Sequence, residues 1–284
     1  MRLPSRLRRV QPDLPAGPLS IHQPVHLGVD AYGDPLTVTL AYRNLLIGGD
    51  PHSGKSAGMS NILGHAALCG DVDLVLLDGK EVELSLWEGL AQRFVGADVP
   101  DAIDALTGLQ AEMTDRYRLL RSAGIRKVPS AGPYRLVLVV VDELAMYLVT
   151  FGAKEEQREF LVLLRDLIAR GRAAGIIVVA ATQRPASDIV PTSLRDLFAY
   201  RWALRCPNPD ASDIILGSGW ASAGHSTHEF DPLYPGVGLL LAEGGVPRRF
   251  RAAYLSDEDI AALVRAGLAL RGGLTNPLPD ADTA

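Results

Sequence analysis

Eight consecutive residues constrain this chain more than any other feature. Gly49-Asp50-Pro51-His52-Ser53-Gly54-Lys55-Ser56 follows the pattern G-x-x-x-x-G-K-[ST] without departure. Such a loop works only between a strand and a helix, because the helix N-terminus must point at the anion the loop wraps. The flanking residues supply both. Leu45 to Ile47 is a short apolar run, and residues 56–68 have helical character. The chain must therefore contain a strand–loop–helix unit, which places it among α/β folds.

Each residue type in the loop has a chemical reason. The glycines let the backbone curl and turn its N–H groups inward. Lys55 reaches the β and γ phosphates, and Ser56 supplies a hydroxyl to Mg²⁺. Ala57 and Gly58 let the helix sit close. The expected cofactors are ATP and Mg²⁺, with Gly49, Asp50, Pro51, His52, Ser53, Gly54, Lys55, Ser56 and Ala57 as the nucleotide-binding residues.

Two further strand ends extend the site. Leu136 to Val141 is an unbroken apolar run that ends in Asp142 and Glu143. A buried strand delivering two carboxylates to its C-terminal end puts them where ligands collect in an open α/β sheet. Asp142 is expected to join Ser56 around Mg²⁺, and Glu143 to polarise the attacking water. A third strand ends in Ala181-Thr182-Gln183-Arg184-Pro185. Gln183 or Thr182 suits a sensor of the γ-phosphate.

The remaining pattern alternates strand and helix. Strands are expected near 45–47, 74–77, 136–141, 176–180, 199–206, 237–241 and 246–252. Helices are expected over 56–68, 98–122, 154–170 and 256–268, the last with a Ser256/Asp259 start close to a capping box. Continuous apolar strands separated by helices argue for a mainly parallel sheet covered on both faces. Turn residues Gly28, Asp30, Gly33, Asp34 and Pro35 predict a small antiparallel ribbon before the loop. The expected organisation is a basic irregular arm over 1–20, a β ribbon over 21–44, an ATPase core over 45–255, and a C-terminal helix with a loose tail over 256–284. Residues 207–236 read as one long irregular stretch.

Composition narrows the class without naming a partner. The 284 residues are 48% apolar and 21% charged, which excludes a mainly disordered chain. The net charge of −5 neither points to nucleic acid nor excludes it, since a basic lining can sit inside an acidic subunit. The 24 Arg against 4 Lys are a compositional bias. Cys69 and Cys206 lack metal-ligand spacing and suit a reducing interior. No apolar run reaches the roughly 18 residues of a membrane helix. Arg2, Arg6, Arg8 and Arg9 precede no apolar segment, so the N-terminus is no secretory signal. His225-Ser226-Thr227-His228-Glu229 has the wrong order for a zinc motif.

Together these motifs resemble the motor domain of the FtsK/SpoIIIE DNA translocases. The resemblance runs through Gly28 to Pro35, Leu45 to Gly58, Leu77-Asp78-Gly79-Lys80-Glu81-Val82-Glu83-Leu84, Val139 to Ala145, and Gly171 to Ile176 followed by Ala180 to Pro185. Gly79 stands where the family usually has Pro. The resemblance covers residues 28–255; without a membrane helix, and with too few residues after Arg251 for a winged-helix module, the chain is expected to be a compact motor core that resembles short actinobacterial transfer proteins. It implies a RecA-like P-loop ATPase that moves double-stranded DNA, a homohexamer assembled on DNA with a monomer as the alternative for the isolated chain, and a cytoplasmic protein recruited to the membrane by partner proteins. It also implies an arginine donated by a neighbouring subunit, with Arg201 favoured over Arg195. Asp213 stands where the family usually has Arg. Expected DNA-contacting loops are 122–133, with Arg121, Arg126 and Lys127, and the loop after Phe151, with Lys154 and Arg158. Two other readings are a related protein-secretion motor and a weakly active nucleotide-gated regulator.

Overall fold

The computed structural model describes residues 17–132 and 134–274. The arginines of the N-terminal arm and most of the expected loose tail lie outside these residues. Ten strands form one sheet: β1 (Val25–Asp30), β2 (Pro35–Val38), β3 (Leu45–Gly48), β4 (Val72–Leu77), β5 (Arg93–Val95), β6 (Leu136–Val141), β7 (Ile176–Thr182), β8 (Tyr200–Leu204), β9 (Val237–Ala242) and β10 (Arg248–Ala252). The helices are α1 (Lys55–Ala67), α2 (Val99–Ala123), α3 (Lys154–Ala174), α4 (Thr192–Arg195), α5 (Pro209–Leu216) and α6 (Asp257–Leu274).

The strand order is β2-β1-β10-β9-β8-β3-β7-β6-β4-β5. The stretch from β8 to β5 is parallel, and the stretch from β9 to β2 is antiparallel. This is the expected α/β architecture, with the central strands β3, β6 and β7 buried along their whole length because both faces are covered. One face packs α1, α6 and the 3₁₀ turn at Ser85–Leu90, with Met59, Ile62, Leu63 and Trp87 in its core. The other packs α2 and α3, with Leu106, Met113, Phe160 and Leu164 in its core.

Local chemistry sets the element boundaries. Asp98 caps α2 by accepting the Asp101 N–H at 2.8 Å, and Gly124 ends it in the left-handed region. Ser256 and Asp259 bond reciprocally at the start of α6, as their spacing predicts. Asn44 is fully buried before β3. It donates to the Ile168 carbonyl at 2.9 Å and accepts from the Val178 N–H at 2.8 Å, tying β3 to α3 and β7.

One expectation needs correction. The 207–236 stretch is not wholly irregular, because it contains α5. Asn208 caps α5 through the Ala211 N–H at 2.8 Å, and Pro209 opens it. The expected antiparallel ribbon is present as β1 and β2. β1 also pairs with β10, so the ribbon continues the main sheet. The three-residue β5 and the π turn at Met146–Thr150 carry no periodic signal and escape a sequence reading.

Candidate nucleotide site

β3, β7 and β6 lie side by side in the sheet, and all three end at the same edge. The phosphate loop, the Thr182 end and the Asp142-Glu143 end therefore converge where sequence reasoning put them. The connection leaving β3 runs through α1 on one face, while α2 and α3 return on the other. That makes the end of β3 a topological switch point, the place where open α/β sheets bind ligands.

The loop is held in shape by its neighbours. The Asp50 N–H donates to the Arg205 carbonyl at 2.8 Å, and the Asp50 carboxylate pairs with the Arg205 guanidinium at 3.1 Å. Burial raises the Asp50 carboxyl above its ordinary value, and Arg205 opposes that shift. His52 occupies the left-handed region at φ 61°, a conformation seldom adopted without glycine. Gly54 needs its glycine twice over. Its φ is 102°, and a Cβ there would lie 2.4 Å from the backbone nitrogen of Gly236. The Gly236 N–H also donates to the Ser53 carbonyl at 2.8 Å. Pro235-Gly236 thus braces the phosphate loop from the antiparallel side. Neither Gly236 nor Arg205 is legible as a site residue, although the Pro-Gly pair marks a turn.

Lys55 is buried and reaches across to the Asp142 end. Its Nζ donates to Asp142 Oδ1 at 2.8 Å and to the Asp142 carbonyl at 2.9 Å. Asp142 Oδ2 is buried and meets no hydrogen-bond partner among the described residues. A carboxylate oxygen in that state suits a divalent cation. Ser56 lies in the first turn of α1, half-buried, with a hydroxyl of the right type for the same ion. The residues present therefore fit Mg²⁺ in type and burial.

Glu143 is bonded across to β7. Its Oε1 accepts from the Thr182 hydroxyl at 2.7 Å and from the Ala145 N–H at 3.1 Å, and its Oε2 accepts from the Gln183 N–H at 2.6 Å. Lys55–Asp142 and Glu143–Thr182–Gln183 thus form two bonded sets, joined through the Asp142-Glu143 peptide.

Arg201 stands apart from both sets. Its neighbour on β8, Trp202, packs in the α1 face, so strand alternation directs Arg201 to the opposite face. There it lies 3.7 Å from Asp196. Arg195 is buried beside it, donating to Asp196 at 2.9 Å. Burial, then the like charge of Arg195, holds the Arg201 guanidinium below its ordinary value. Asp213 does not substitute for an arginine. Its carboxylate accepts the N–H groups of Gly219 and Ala221, both at 2.7 Å, and shapes the loop that follows α5.

The two expected DNA loops lie at opposite ends of the sheet. Residues 122–132 precede β6, while Phe151 follows it on the phosphate-loop edge. Lys127 sits over the Tyr42 ring at 4.4 Å, and Arg121, Arg126, Lys154 and Arg158 are exposed. No group of His, Cys, Asp and Glu among the described residues could hold a metal ion by itself, which covers the 225–229 segment. Trp87 and Trp202 are fully buried packing residues.

Residues 7–135 match the model of the FtsK/SpoIIIE family. The DNA translocase FtsK of Pseudomonas aeruginosa (strain PAO1) is 30% identical over 282 residues, covering 86% of this chain and 33% of the relative. That of Pseudomonas syringae pv. tomato is 31% identical over 279 residues, covering 84% and 33%. The chain belongs to the FtsK/SpoIIIE family. It spans about a third of the length of these curated relatives. Among solved structures, the monomer form of the pCW3 conjugation coupling protein TcpA with ATPγS superposes with a TM-score of 0.76 at 23% identity, over 88% of this chain and 71% of that one. The cytoplasmic domain of the type VII secretion ATPase EccC from Thermomonospora curvata superposes with a TM-score of 0.68 at 22% identity, over 88% and 31%. Both share the fold. No helix among the described residues is long and apolar enough to cross a membrane.

Proposed function

We propose that this chain is the motor core of an ATP-driven double-stranded DNA translocase. The observation that carries the reading is the convergence of Lys55, Asp142, Glu143 and Thr182 on adjacent strand ends beside the phosphate loop. That constellation suits phosphoryl transfer to water and little else. Family membership supplies the direction of the reading, and the similarity to FtsK DNA translocases supports DNA as the moving partner.

ATP enters with its phosphates against the backbone N–H groups of residues 50–56. Lys55 exchanges Asp142 for the β and γ phosphates, where its charge offsets the charge that builds as the bond loosens. Asp142, through the Oδ2 that has no partner among the described residues, and Ser56 would hold Mg²⁺. The ion, when bound, neutralises phosphate charge. Glu143 orients the attacking water in line with the bond that breaks. Thr182 and Gln183 share hydrogen bonds with Glu143 and so report phosphate loss along β7. Arg201, on the far face and paired with exposed Asp196 among the described residues, is the donor offered to a neighbouring subunit's site. The assembly is a homohexamer formed on DNA, with exposed Arg and Lys side chains contacting backbone phosphates without sequence preference. Its setting is conjugative transfer or chromosome and plasmid movement in the cytoplasm, with recruitment to the membrane by partner proteins.

Steady-state hydrolysis of Mg-ATP, with and without long linear duplex, tests this reading. Strong stimulation by duplex is expected. Glu143→Ala is expected to lose about 10²-fold to 10⁴-fold in kcat while still binding ATP. Hydrolysis indifferent to duplex would instead favour a protein-moving motor. A folded chain that binds ATP but never hydrolyses it would favour a nucleotide-gated regulator.

A further inference from the structure

Glu143 is held by its own chain more tightly than a water-activating carboxylate needs. An ionised carboxylate has about four acceptor sites. Three of them are taken, by the Thr182 hydroxyl and the N–H groups of Ala145 and Gln183. The side chain is buried, so little of it faces solvent. One acceptor site remains, so Glu143 gains a second for an attacking water only by giving up part of this arrangement.

The Thr182 hydroxyl is the joint on which it turns. A hydroxyl has one proton to give. At 2.7 Å, Glu143 Oε1 is a closer acceptor than the Arg184 carbonyl at 3.2 Å. The same oxygen accepts the Arg184 N–H at 3.0 Å. The hydroxyl therefore links the Glu143 carboxylate to the backbone of the segment that follows β7. On its other side that segment, Gln183 to Ser187, walls an open groove of about 430 Å³ beside the phosphate loop, with Asp50 and Asn208 opposite. A displacement of the segment into the groove would pull on the Thr182 and Gln183 bonds, two of the three that hold Glu143.

We propose that Thr182 is a positioning residue that keeps Glu143 engaged, and that movement of the Gln183–Ser187 segment releases it to water. This rests on the reading of the site as an ATPase stimulated by duplex. It predicts a low resting rate, set by the Thr182–Glu143 bond, and stimulation on its release.

Thr182→Val removes the hydroxyl and keeps the shape. Basal kcat is expected to rise severalfold with KM for ATP unchanged, and the ratio of duplex-stimulated to basal rate to collapse towards one. Thr182→Ser, which restores the hydroxyl, is expected to restore the parent's ratio. Thr182→Ala serves as the second variant if Thr182→Val fails to fold, as judged by thermal melting. A Thr182 variant whose kcat falls by the same factor with and without duplex would overturn the proposal, because the hydroxyl would then be holding Glu143 in its reacting pose. Unchanged rates would overturn it too. A parent chain that does not hydrolyse ATP would overturn the functional reading itself, and this inference with it; the parent measurement therefore separates the two failures.

Discussion

Single residues here act mostly by closing distances that their sequence positions do not reveal. The phosphate loop is legible because its eight residues are contiguous and each type has one job. Its supports are not. Arg205 and Gly236 come from far along the chain, and only the folded sheet sets them against Asp50 and Gly54. Gly58 is an intermediate case. The sequence reading expects a small residue for close helix packing, and the structure supplies the partner: a Cβ at position 58 would lie 2.7 Å from the indole of buried Trp202. Gly58→Val is therefore expected to push α1 off β8. A loss of about 1–3 kcal/mol, the usual cost of overpacking a dense core, should appear as a lower urea midpoint. An unchanged midpoint would mean that the indole swings aside freely. Asp213 shows the opposite limit. Comparison with the family motif marks it as a departure, but only its bonds to Gly219 and Ala221 explain what it does instead.

Elements are legible where periodicity is long and caps are strong, as in α2, α3 and α6. They are hidden where a few cues compete with turn residues. Asn208 and Pro209 are sound helix-start signals, but the glycines and prolines around them mask the eight-residue α5. The segment after β4 is governed by one side chain. Asp78 is fully buried and accepts four N–H groups, from Lys80, Glu81, Val82 and Leu84, at 2.8–3.1 Å. Asp78→Ala strands those donors and is expected to cost at least about 3 kcal/mol, given the penalty for unsatisfied buried donors. Denaturant titration would show it, and a loss under about 1 kcal/mol would mean that water reaches the segment. The C-terminal end of α1 carries a pH dependence. His65 hydrogen-bonds the Ser20 carbonyl at 3.1 Å, and burial lowers its pKa against the smaller raising effects of Ser20 and Asp71. The fold thus favours the neutral ring, while the unfolded chain takes a proton at about pH 6.5. His65 contributes stability above that pH, and the contribution is lost as pH falls towards the folded value. Melting temperature should fall on acidification from pH 7.5 to pH 5.5, and His65→Gln should flatten the fall. Equal slopes in the two proteins would remove His65 from the account.

At the scale of the whole molecule, the sheet is continuous from β2 to β5, so the nucleotide edge and the antiparallel strands form one platform. Bracing of the phosphate loop by Pro235-Gly236 ties the nucleotide site directly to β9 and β10. The alternation of strand and helix predicts the parallel half. It does not predict that β1 pairs with β10, because strand order depends on long-range pairing that no local pattern records. The platform also separates the two candidate DNA loops, placing one beside the nucleotide and the other at the far edge. Movement of DNA, rather than hydrolysis alone, is the central claim, and a strand-displacement experiment tests it most directly. A third strand annealed to the end of a long duplex should be stripped off by the chain in the presence of Mg-ATP. Displacement should vanish with Glu143→Gln and with ATPγS in place of ATP. Hydrolysis stimulated by duplex, but with the third strand left in place, would contradict translocation.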